Sequence, residues 1–169
     1  MNDMTSTTET TEVNEGKLFE AYIQKPEKMA YYQQGLAKMT QAGVLGFKWH
    51  WSWWAFFFGW AFLLYRKAYL PAVGAFFAAI LSSFIPFVGP LIAAIAIGGS
   101  SSYFVIKRYT DLKNTLMGTE QEKINAMYSF GGFHSWVIWV AAIVYGLIII
   151  STIAMFAFIG GAASSGYYY

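Results

Sequence analysis

From Ala68 to Ile106 the chain runs for 39 residues without a charged side chain. A single helix of that length would be about 58 Å long, roughly twice the hydrocarbon thickness of a bilayer. The run must fold back on itself, and Pro86-Phe87-Val88-Gly89-Pro90 marks the place. Proline cannot continue a helix but readily opens one, so Pro86 closes the first arm and Pro90 starts the second. The arms, Ala68–Ile85 and Pro90–Ile106, have 18 and 17 residues, the short end of the spanning range. Small residues recur at four-residue spacing on both: Gly74, Ala78 and Ser82 on the first, Ala94, Gly98 and Ser102 on the second. One small stripe per arm lets two helix backbones approach closely, so a packed helical hairpin is expected.

The rest of the composition agrees with a lipid environment. Of the 169 residues, 57% are hydrophobic, 20% aromatic and only 12% charged, against about 25% charged in an ordinary soluble domain. Twenty charged side chains, clustered as they are, cannot cover the surface of a soluble protein this short. A soluble globular enzyme is thereby set aside. The absence of cysteine removes disulfides, thiolate metal sites and thiol catalysis together. A net charge of +2 is too mild to point to nucleic acid.

Five further regions can be read. Residues 1–15, MNDMTSTTETTEVNE, are Thr- and Glu-rich and too polar to form a core, so a disordered tail is expected. They lack the basic and apolar regions of a signal peptide, so a later segment is expected to drive insertion. Residues 16–48 are expected to form cytoplasmic amphipathic helices. Leu18, Phe19, Tyr22 and Ile23 share one face, Pro26 suits the first turn of a second helix, and Met29, Tyr32, Leu36 and Met39 continue at helical spacing towards a stop at Gly43. Their apolar stripes need a partner, either the membrane surface or the rest of the protein. Residues 107–132 are polar again. Thr119-Glu120-Gln121-Glu122 is a capping box, followed by an apolar face at Ile124, Met127 and Tyr128 and a stop at Gly131-Gly132, so a short interfacial helix is expected in a cytoplasmic loop. Residues 136–159 form the clearest span, 24 residues without a charge. Residues 160–169 are a short uncharged tail ending in three tyrosines.

Residues 49–65 need separate treatment. Ten of the 17 are aromatic, and five of the seven tryptophans in the chain lie here. Tryptophan and tyrosine prefer the headgroup level to the hydrocarbon centre, and about 25 Å of helix barely spans. This segment is read as an interfacial or re-entrant helix, with Ser52, Ala55 and Gly59 as its small-residue strip. All 11 Lys and Arg residues fall in Lys17–Lys48, Arg66-Lys67 and Lys107–Lys123. With spans at 68–85, 90–106 and 136–159, every basic stretch lies on one face, which the positive-inside rule makes cytoplasmic. The N-terminus is then inside and the C-terminus outside. A four-span alternative, with residues 49–65 crossing, would put five lysines on the other side. It would also demand a turn at Arg66-Lys67 with no Gly or Pro to make it.

Gly46-Phe47-Lys48-Trp49, then Trp53-Trp54-Ala55-Phe56-Phe57-Phe58-Gly59 and Leu63-Leu64-Tyr65-Arg66-Lys67-Ala68-Tyr69 together resemble the hallmark block of a bacterial membrane-protein family, domain of unknown function 2628. Tyr103-Phe104-Val105-Ile106-Lys107-Arg108-Tyr109 and Gly131-Gly132 also resemble its pattern, and the resemblance covers about Tyr31 to Ile150. It implies a bacterial inner-membrane location. It brings no catalytic or ligand residues.

Candidate chemistry is thin. Ionisable groups inside a span are functional candidates because they are costly to bury in lipid, and the predicted spans hold none. No metal or cofactor site is expected, since His50 and His134 are far apart in sequence and stand at span edges. Ser100, Ser101 and Ser102 with His134 could make an intramembrane nucleophile and base, but three spans can hardly admit water to such a site, and local packing accounts for the serines. Arg66 and Lys67, with Trp53, Trp60 and Tyr65 around them and Lys107 and Arg108 at the other end of the hairpin, are candidates for anchoring to lipid headgroups. The sequence therefore predicts an all-α polytopic membrane protein that is not an enzyme. It would act in a structural or accessory role on membrane lipids or a partner membrane protein, alone or as a homo-oligomer. The alternatives are a subunit of an oligomeric channel or transporter and, behind it, an intramembrane enzyme.

Overall fold

The computed structural model describes residues 15–86 and 88–165, the last six as backbone. The expected N-terminal tail (but for Glu15), Phe87 of the hairpin turn and the last four residues of the C-terminal tail lie outside the described residues. Among those described, the regular structure is all α. We number the helices α1 (residues 15–23), α2 (Pro26–Met39), α3 (Trp53–Phe58), α4 (Trp60–Tyr65), α5 (Tyr69–Ser82), α6 (Val88–Thr115), α7 (Glu120–Phe130) and α8 (Trp136–Ser165). The chain divides into two compact units between His134 and Ser135.

The first unit is built around α6. The hairpin forms where the prolines place it. α5 ends at Ser82, four turn residues follow, and α6 packs back against α5. Gly89 is required at this corner, because a Cβ there would overlap the Ser82 carbonyl. The lengths differ from expectation. α5 has only 14 residues, about 21 Å. α6 has 28 and does not stop at Ile106. It continues through Lys107 to Thr115, so the first third of the expected cytoplasmic loop is the far end of the hairpin helix.

That far end is wrapped by protein. Leu18, Phe19, Tyr22 and Ile23 of α1, Tyr32 and Met39 of α2 and Met127 of α7 pack with Val105, Ile106 and Tyr109 of α6 in one buried cluster. The stripes of α1 and α2 thus find their partner in the rest of the protein. Pro26 opens α2 as expected, and α7 carries the full capping box between Thr119 and Glu122. A smaller cluster, Leu63, Ala68, Ala72 and Ala75, joins α4 to α5.

Residues 49–65 are not one helix. From Leu45 to Ser52 the chain forms neither helix nor strand, and Ser52 is extended. Two six-residue helices follow, broken at Gly59, whose φ of +49° is open to glycine and costly to other residues. Each is about 9 Å long and cannot cross a bilayer by itself. Ser52 caps α3, accepting from the Ala55 N–H, and Ala55 is buried. The second unit is α8, 30 residues, apolar on every side. It runs on to Ser165, six residues beyond the expected end of the span. By length and composition, α6 and Trp136–Ile159 of α8 could each cross a membrane.

Candidate functional site

Two arrangements on α6 gather the residues that the sequence singled out. The first is a strap, residues 45–52. Its backbone docks on α6: the His50 N–H donates to the Gly99 carbonyl at 3.1 Å and the Ser52 N–H to the Gly98 carbonyl at 2.8 Å. A helix interior ordinarily keeps foreign backbone at side-chain distance. Here two consecutive glycines remove the obstacle. A Cβ on Gly98 would come within 3.1 Å of Phe56 Cβ, and one on Gly99 would overlap the Trp49 indole. The Tyr31 hydroxyl of α2 clamps the other side. It donates to the Trp51 carbonyl at 2.8 Å and lies 2.6 Å from Ser102 Oγ. The single phenolic proton goes to the carbonyl, so Ser102 is the donor in the second bond. His50 packs against Gly35 and the Tyr31 ring. Burial, helped by the Lys38 charge, holds its imidazole below the usual range, so it is neutral at neutral pH. The outer side of this region is a row of exposed rings, among them Trp49, Trp53, Trp54 and Phe57.

The second arrangement is a basic knot where the first two helices, the loop between α4 and α5, α6 and the end of α7 converge. Arg66 is 5% exposed. Its Nε donates to the Tyr32 hydroxyl at 3.2 Å, its Nη1 to the Ile23 carbonyl at 3.0 Å, and its guanidinium lies 4.8 Å from the centre of the Tyr32 ring. No carboxylate pairs with it among the described residues. A ring face and a carbonyl dipole stand in for an acid. Burial pushes the Tyr32 phenol up, against the pull of the Arg66 charge, so it stays neutral. Around this centre, Lys67 donates to the Ser129 carbonyl and Arg108 to the Phe130 carbonyl, each at 3.2 Å. Tyr69 Oη lies 2.6 Å from His134 Nε2, and Tyr65 stacks on Phe133. Gly131 presses on the Tyr22 backbone, where a Cβ would not fit, and the Gly132 N–H donates to the Tyr22 carbonyl at 2.7 Å.

These placements divide the expected anchoring residues. Trp53 and Lys107 are exposed, Lys107 in an ion pair with Asp111. Arg66 is buried and cannot reach a headgroup, which corrects its assignment: its donors are held by the first two helices. Lys67 and Arg108 are partly buried, with a donor each on α7. Trp60 packs edge-on against Phe76, and Tyr65 against Phe133. The packing stripes also need correction. Gly74 and Ala78 are exposed, with open space around Gly74, and Ser82 is half-buried with its hydroxyl on the Ala79 carbonyl. The first arm packs instead through Ala72 and Ala75. On the second arm Ala94 is half-buried, whereas Gly98 and Ser102 are buried against the strap and Tyr31, not against the first arm.

The imagined serine–histidine pair finds other partners. Ser100 bonds the Ala96 carbonyl, Ser102 meets Tyr31, and His134 meets Tyr69. No cluster of three metal-ligating side chains occurs among the described residues. Two features were not foreseen in the sequence: the strap, and the side chains that hold the C-terminal carbonyls of α7. The adjacent glycines Gly98-Gly99 were the available signal for the first. For the second there was none, because its acceptors are backbone carbonyls.

Residues 7–112 match the family described as protein of unknown function DUF2628, and the chain belongs to that family. The match starts and ends earlier than the stretch on which the resemblance was read. It takes in α1, α2, the strap, the hairpin, Arg66 and Arg108, and stops before α7. No curated protein and no solved structure matches the chain.

Proposed function

We propose that this DUF2628 protein is a small non-enzymatic protein of a bacterial inner membrane, holding a compact cytoplasmic helical cap against the bilayer and serving a partner protein or the lipid surface there. Three spans, 68–85, 90–106 and 136–159, put the N-terminus inside and the C-terminus outside. The observation that carries the reading is the apolar surface of the hairpin, from the start of α5 through the turn into α6. Leu70 is 84% exposed and Phe84 78%, and Leu91 and Ile92 are more than half exposed. In water such a continuous surface would be a severe liability; in hydrocarbon it is ordinary. The short α5 reaches across with the help of Ala68 and its turn residues, with local thinning of the bilayer. The exposed rings of the strap and α3 lie in the cytoplasmic headgroup layer, and Trp53 and Lys107 remain the candidates for direct headgroup contact.

The test is cysteine accessibility in intact cells, which no native thiol complicates. A cysteine at Asn114 should stay unmodified by a membrane-impermeant maleimide until the cells are opened. One replacing Tyr169 should react at once. The reverse pattern would overturn the threading. A second reading, a subunit of an oligomeric channel or transporter, draws on Gly74 and Ala78, whose small exposed face could take a helix of another copy. Disulfide crosslinking at Gly74→Cys in native membranes, followed by liposome flux, would support it. A strict monomer without flux would remove it.

A further inference from the structure

The last turn of α7 is held in an unusual way. Its consecutive carbonyls, at Tyr128, Ser129 and Phe130, each accept a long side chain from a different element: Gln24 at 2.5 Å, Lys67 at 3.2 Å and Arg108 at 3.2 Å. A helix C-terminus is the negative pole of the helix, so cations are welcome there. Two of the three donors sit on strained backbone. Gln24 has φ +53° and Lys67 φ +58°, the only non-glycine residues with positive φ among those described. Such strain is kept where the surroundings demand it, commonly at switching or binding sites.

The two cations also share a depth. Lys67 immediately precedes Ala68, and Arg108 follows Ile106 by two positions, so they flank the two ends of the charge-free hairpin. Neither is paired with a carboxylate among the described residues. Each has donors to spare: an ammonium has three and Lys67 uses one, while Arg108 Nη1 is buried without a partner among the described residues. A carbonyl offers these cations a partial charge. A phosphate offers a full charge and several oxygens, and is the stronger acceptor. We propose that Lys67 and Arg108 form a phosphate-binding site that α7 occupies with its own C-terminal carbonyls. An anionic lipid headgroup entering that site displaces the last turn of α7. The proposal rests on the reading that the hairpin is membrane-embedded.

Release of one turn does not require α7 to unfold. The capping box holds its other end independently, and Met127 alone among its residues is fully buried. Tyr128, Ser129 and Phe130 are already exposed. What would move is the Gly131-Gly132 junction, through which α7 joins the chain leading to α8.

The test is hydrogen exchange on the full chain reconstituted in vesicles, read at the Gly131 and Gly132 amides, which donate to the Met127 and Tyr22 carbonyls. Replacing phosphatidylcholine by a mixture rich in phosphatidylglycerol should speed their exchange about fivefold or more, the size of one cation's attraction to an anionic surface. In K67Q/R108Q the exchange should be fast in both lipids and indifferent to the change. Lys113→Gln, which removes a cation of α6 that pairs with Glu15 and lies outside the site, should respond as the wild type does and shows that a charge change alone leaves the fold intact. Equal protection of the wild type in both vesicles would overturn the proposal. So would a lipid response retained in the double variant. The same release by inorganic phosphate in phosphatidylcholine would overturn the headgroup as the ligand. Quenching of Trp53 by brominated lipid separates the two layers of argument. Quenching without an exchange response leaves the membrane reading standing and removes the latch. No quenching removes both.

Discussion

The two halves of α6 have the same backbone and opposite exposure. From Val88 to Ile97 its large side chains Val88, Leu91, Ile92 and Ile95 are exposed. From Gly98 to Tyr109 none of the large apolar side chains is exposed: Val105 is 1% exposed and Ile106 0%. The polar bonds follow the same boundary. Ser102 meets Tyr31, and the Val105 carbonyl accepts from the Tyr22 hydroxyl at 3.0 Å, while the first half carries no side-chain bond to another helix among the described residues. One half is covered by protein and the other is left exposed. The strap crosses α6 at the boundary, on Gly98 and Gly99.

The contrast can be broken most severely by placing one charge in each half. Ile106→Asp buries a carboxylate in the packed cluster and should unfold the helices around it, costing about 4 kcal/mol or more, seen as loss of helix in circular dichroism and as new protease sites in α1 and α2. Ile92→Asp should leave that cap folded and instead weaken insertion by about 3 kcal/mol, read as protein lost from the membrane fraction. Equal effects at the two positions would mean that the halves do not differ.

Arg66 sharpens the contrast on the buried side. Arg66→Ala leaves the Tyr32 hydroxyl and the Ile23 carbonyl without their donors and should cost about 3 kcal/mol in thermal unfolding. Arg66→Lys should recover only part, since an ammonium cannot lie flat on the ring while bonding both acceptors. If Arg66 were a lipid anchor, both variants would be nearly neutral in detergent and would matter only with anionic lipid.

Tyr31→Phe tests the boundary itself. It removes one tie between the strap and α2, while Lys38 to the Trp49 carbonyl and Gly46 to the Met39 carbonyl remain, and it leaves the Trp51 carbonyl unpaired, at a cost of about 1–2 kcal/mol. Smallest is the cap of α7. Thr119→Ala should cost about 1 kcal/mol of that helix. The Glu122 carboxylate, held below the usual range by the Thr119 N–H and hydroxyl, stabilises α7 in full above the ordinary glutamate range. That contribution is lost as the pH falls through the depressed value. Glu122→Gln should abolish the acid sensitivity of α7 exchange without touching α1 or α2.

Much of this fold was legible because it rests on strong local signals. Pro86 and Pro90 turn the hairpin, Pro26 opens α2, and Thr119 with Glu122 starts α7, each through chemistry confined to one turn. The amphipathic stripes of α1 and α2 were visible, but whether they faced lipid or protein was not, since both are apolar. The end of α6 was not legible, because charged residues end an apolar run without ending a helix: Lys107 and Arg108 lie inside α6. The basic residues misled for a related reason. Arg66 reads as a surface cation, and only its distant partners Ile23 and Tyr32, more than thirty residues away in sequence, show that it is buried. Gly98 reads as a helix-packing residue, and the structure gives that space to the strap.

The central claim, that α6 passes from hydrocarbon into a protein core along its own length, is tested most directly by spin labels placed singly at Ile92 and at Asp111. Collision rates with oxygen and with a water-soluble nickel chelate should differ in opposite senses, oxygen dominating at position 92 and the chelate at position 111. Ready access of the chelate to position 92 in reconstituted bilayers would contradict the account.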